Sequence, residues 1–96
     1  MNAGTMMRRC VLALHKLDKL EQLLSYIPAY READRFTYTS IGEVRELHHI
    51  AKLETIHTVT VEQTSHIQRI LSKVDFFLNL VPNAAKRELD GGADTC

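Results

Sequence analysis

The chain is 96 residues long, enough for one small domain near the lower size limit of independent folding. Apolar residues make up 45% and charged residues 25%, and Leu, Ile, Val and Phe supply 27 of the 96, which excludes a disordered or low-complexity chain. Twelve basic residues balance twelve acidic ones, so no overall field draws the chain to nucleic acid or anionic lipid.

The first element is carried by a seam at Cys10, Ala13, Leu17, Leu20, Leu24 and Ile27, spaced 3, 4, 3, 4, 3. Val11, Leu14 and Leu23 widen that face. A helix is predicted from about Met6 to Tyr26, because Pro28 pushes the residue before it out of the helical region. Residues 28–36 read as a short second helix. Thr37 to Ser40 favour extended or capping conformations, so a helix break is expected across residues 28–39. Ser40 with Glu43 three residues later forms a capping-box pattern that marks a new start.

Two stripes follow. Ile41, Val44, His48 and Ala51 share one, flanked by Leu47 and Ile50. Leu53, Ile56, Thr60, Gln63, Ile67, Ile70, Val74, Phe77 and Val81 make the other, and the two are out of register. Six of the seven residues from Thr55 to Val61 are β-branched, and Thr60 with Gln63 is a second capping box. A break is therefore expected at 55–60, with a short strand over 56–61 as the alternative. Pro82 ends the last long helix, and Asn83 to Leu89 can add one more turn. Residues 1–5 and 90–96 read as flexible tails of a single domain spanning 1–96.

These elements predict an all-α bundle of three to five helices, built on a helical hairpin that self-associates. Helix one and the last long helix are expected to pair antiparallel. The expected core is Val11, Leu14, Leu17, Leu20, Leu24, Ile27, Leu47, Ile50, Ile67, Ile70, Val74, Phe77 and Val81. With Cys10 and Cys96 as the only cysteines, a disulfide framework is not expected, and the cytoplasm is the expected compartment. Cys10 to Leu14 is too short for a signal peptide, and no stretch matches a membrane span.

Several constellations bear on function. Residues 49–71 resemble the spacing of a helix-turn-helix motif, with apolar Ile50, Ile56 and Val61 and the small Ala51 at the helix crossing. Gln63, Thr64, His66 and Arg69 would then face base edges. Against it, Thr55 stands where that motif expects Gly, Glu54 occupies an apolar position, and acidic residues outnumber basic ones between 41 and 80. Glu46 with His49 and Glu54 with His57 match the Glu-x-x-His unit of di-iron bundles, and Glu62 with His66 adds an i, i+4 pair. Both units lie in one twelve-residue stretch, so His48, His49, His57 and His66 read as ordinary surface or interface histidines and no metal is expected. Tyr26, Tyr30, Phe36 and Tyr38 lie among Arg31 and Arg35, a mix that can cap an anion or anchor a loop. No phosphate loop, nucleophile elbow or catalytic triad pattern is present, and no cofactor is expected. Leu71, Phe76, Leu78 and Leu80 exceed what one neighbouring helix can cover. They mark a candidate interaction face for a second copy or another helical protein. The expectation is a small non-enzymatic interaction module: an adaptor, chaperone or regulator.

Overall fold

A computed structural model describes residues 2–53 and 59–91. Four α-helices account for nearly all of them: α1 (Ala3–Leu23), α2 (Tyr30–Leu53), α3 (Val61–Asn79) and α4 (Asn83–Gly91). A single 3-10 turn, Leu24–Tyr26, extends α1. The all-α bundle is as the hydrophobic spacing predicts. None of the helices among the described residues is long and apolar enough to cross a membrane.

α1 begins three residues earlier than expected. The Asn2 side chain caps it by accepting from the Thr5 amide at 2.8 Å, and Asn is among the strongest N-caps. Ala3 and Met6 are buried, so residues 3–5 are not a tail. Ile27 is extended before Pro28, as the steric rule requires, and the chain turns there into α2.

The short helix expected over 28–36 is present from Tyr30, but the break expected across 28–39 is confined to residues 28 and 29. α2 runs unbroken from Tyr30, and Ser40 is a buried mid-helix residue rather than a cap. Thr37 is helical too, and its buried hydroxyl is satisfied by donating to the Ala33 carbonyl one turn back, at 2.7 Å. Packing against α1 outweighs the modest helix propensities of Thr and Ser. The second capping box does form: Thr60 Oγ1 accepts from the Gln63 amide, and the Gln63 side chain accepts from the Thr60 amide, both at 3.1 Å. Val59 and Thr60 are not helical, in keeping with the break. Its remainder, 55–58, lies outside the described residues, as does most of the strand alternative. Pro82 closes α3 and also opens α4, its carbonyl accepting from Ala85 and Lys86.

α1 is the central helix. It packs most extensively on α2, then on α3, while α2 and α3 meet only lightly. Lys16 Nζ lies 2.7 Å from Asp75 Oδ1, and Gln22, Leu23 and Tyr26 share a hollow with Ala85, Glu88 and Leu89 beyond the end of α3. These cross-links set α1 and α3 in the same direction. The hairpin is therefore α1–α2, not the antiparallel pairing of α1 with α3 that the two seams suggested. A short connection through Pro28 forces sequential helices to neighbour one another.

Cys10, Ala13, Leu17, Leu20 and Leu23 line the core from α1 and Ile27 from the turn beyond it, and Ile67, Ile70, Val74, Phe77 and Val81 close it from the other side. Val11 is a correction: it is 46% exposed, being displaced about 100° from the buried Cys10. Leu14, Leu24, Leu47 and Ile50 are half-buried rather than central. α2 contributes Ala33, Thr37, Ser40, Val44 and Ala51, a stripe of small side chains that lets the large residues of α1 approach closely.

Candidate functional site

The same small stripe explains where the bundle is open. α2 spends its buried face on α1, so toward α3 it presents Glu32, Arg35, Thr39 and Glu43, mostly long and charged. A groove of about 470 Å³ remains between α2 and α3. Its floor is Phe36, Ser40 and Ile70, and its α3 rim is His66, Arg69 and Lys73.

Three contacts cross it. Phe36 and Phe77 meet with ring centroids 5.4 Å apart, and Lys73 Nζ lies 5.4 Å above the Phe36 ring, within cation–π range. At the other end His66 Nε2 pairs with Glu43 Oε2. The Phe36 and Glu43 contacts run in opposite order along α2 and α3, so these helices are antiparallel. Among the described residues neither Arg35 nor Arg69 forms an ion pair or side-chain hydrogen bond. The groove thus carries three cationic side chains against Glu32 and a Glu43 already engaged.

The residues singled out from the sequence divide in a way that their types did not announce. Leu71 and Leu78 are half-buried against the core, whereas Phe76 is 59% and Leu80 45% exposed. The four do not form one face. Gln63 and Thr64 are both tied to Thr60 at the α3 cap, and His66 is held by Glu43, which leaves Arg69 as the free member of that set. A different grouping emerges instead. Glu62, His66, Arg69, Lys73, Phe76 and Leu80 follow steps of 4, 3, 4, 3, 4 and so share one outer stripe of α3. It runs from the groove rim onto exposed apolar surface.

Of the aromatic and arginine cluster, only Arg35 and Phe36 reach the groove; Tyr26, Tyr30 and Tyr38 are exposed, with Arg31 over its neighbour Tyr30. Sequence reasoning does not single out Lys73 or Glu32, and it reads Ser40 only as a helix cap. The outer stripe was legible as spacing, but its mixed chemistry hides it from a search for apolar periodicity.

Glu54 and His57 lie outside the described residues. Among the described residues no three His, Cys, Asp or Glu side chains converge on a possible metal position. The Cys10 thiol is fully buried, and desolvation pushes its pKa up to about 11, far from the range of a reactive thiolate. Comparison with protein-family models, with curated proteins and with solved structures returns no match.

Proposed function

We propose that the protein is a small non-enzymatic interaction module, an adaptor, chaperone or regulator, that receives a helix of another protein on its α2–α3 side. One observation carries this reading: α1 closes against both neighbours, while the α2–α3 seam stays open over an apolar floor. A three-helix arrangement with one open seam gains buried apolar area by accepting a further helix, at roughly 25 cal/mol per Å². Phe76 and Leu80 extend the receiving surface along α3. A second copy of the chain is the other occupant such a face admits, and it would make the protein a homodimer. The helix-turn-helix reading gains no supporting observation, since three of the four base-reading candidates are engaged within the chain.

A photo-crosslinking residue at Thr39, beside the groove, tests the proposal against the same residue at exposed Glu21 on α1. The expected result is a discrete crosslinked species from Thr39 alone. Its partner, once purified, should bind saturably and protect α2 and α3 amides from exchange. Crosslinking to the chain itself, with a dimer in sedimentation, assigns the face to self-association. Equal crosslinking from both positions, or no saturable binding, overturns the reading.

A further inference from the structure

We infer that the α2–α3 groove takes an acidic amphipathic helix, whose apolar ridge lies over Phe36 and Ile70 and whose carboxylates meet Arg35, Arg69 and Lys73. This rests on the interaction reading above and names the chemistry of its partner.

Shape is the first ground. From Glu32 to Glu43 the groove follows three turns of α2, about 16 Å at 1.5 Å per residue. The groove is open along that length, so a helix lies on it rather than inside it. One row of side chains fits, projecting at i, i+4 and i+7 from a helix laid along the opening. A small ligand is normally enclosed over most of its surface, and a channel open along its length does not provide that.

Charge is the second ground. Arg35, Arg69 and Lys73 flank the floor from both sides and outnumber the groove's two carboxylates, Glu32 and the His66-bound Glu43, and among the described residues neither Arg35 nor Arg69 is in an ion pair. A partner ridge flanked by Glu or Asp satisfies them, whereas a basic one meets like charge.

The third ground is Ser40. It is only 4% exposed, it lines the groove, and among the described residues its Oγ has no hydrogen-bond partner. No side-chain polar atom among the described residues is both sealed from solvent and unpaired, so Ser40 Oγ is reached through the groove itself. It offers a donor to a flanking carboxylate that reaches down beside the apolar ridge.

The test is a displayed library of helical peptides about four turns long, with a fixed Leu and Phe ridge and flanking positions varied among Glu, Lys, Gln and Ser. Selection on the intact chain is expected to enrich Glu. The selected peptide should shift the signals of Phe36, Ser40 and Ile70. In the Arg69→Glu, Lys73→Glu variant, both exposed positions, its affinity should fall at least about tenfold, and a fresh selection should turn toward Lys. Charge-indifferent or Lys-flanked winners seated on the groove overturn the acidic partner but not the docking face. Winners seated elsewhere, or none at all, overturn both. Phenylacetate filling the groove as tightly as the peptide also overturns the inference, because the site then belongs to a small organic acid.

Discussion

Thr37 Oγ1 donates to the carbonyl of Ala33 at 2.7 Å, which lets a β-branched residue sit buried in the middle of α2 where it meets α1. The bond satisfies the hydroxyl locally, so what the site requires of this residue is its size. Thr37→Val keeps the shape and removes donor and desolvation cost together, and should change stability by less than about 1 kcal/mol. Ala33→Leu inserts bulk into the same seam and should cost roughly 1–3 kcal/mol. Urea unfolding of the pair decides it, and a larger loss for Thr37→Val than for Ala33→Leu would contradict this account.

Gly42 gives a prediction of opposite sign. It lies within α2, has no positive φ, and a Cβ built there meets nothing within 4 Å. Gly42→Ala should therefore stabilise the protein by about 0.5–1 kcal/mol, through reduced chain entropy in the unfolded state. A thermal midpoint that falls would mean that α2 is interrupted at this point.

The two α1 positions Leu20 and Val11 separate the seam from its flank. Leu20 is fully buried, so Leu20→Ala should cost roughly 2–5 kcal/mol. Val11→Ala should stay within about 0.5 kcal/mol, as for an exposed site. Equal losses at both positions would place the seam elsewhere on α1.

Alkaline stability should report Cys10. Its folded pKa of about 11 exceeds the ordinary 9.0 because burial disfavours the thiolate. The folded state therefore holds the proton more tightly. The stabilisation is complete below pH 9 and is lost as pH rises through about 11, by up to roughly 3 kcal/mol. Denaturant titrations from pH 8 to 11 should show this slope in the native chain and a shallower one in Cys10→Ala. In a Cys96→Ser background the Cys10 thiol should also resist a thiol-reactive dye at neutral pH until the chain unfolds.

The α3 cap offers a local check. Thr60→Ala removes the hydroxyl that accepts from the Gln63 amide and should cost about 1 kcal/mol. Thr60→Ser should restore most of it. No difference between the two variants would show that the cap hydroxyl contributes nothing.

By itself the sequence determined the helical class, the two long apolar seams, the Pro28 and Pro82 boundaries and the Thr60 capping box. Each of these is written within one or two turns of chain, where spacing, proline geometry and side-chain-to-backbone hydrogen bonds act. It misjudged residues 37–40, because the local preferences of Thr37 and Ser40 for non-helical backbone are worth a few tenths of a kcal/mol. Burial of their small side chains against α1 outweighs that. Nor does local pattern decide which seams face each other. That α1 is central, that α1 and α3 run in the same direction, and that Arg35, Ser40, Arg69 and Lys73 border one groove all depend on residues far apart in the chain. The tertiary structure alone decides them, because a stripe of small side chains can close only one of two seams, and in α2 it closes the one with α1.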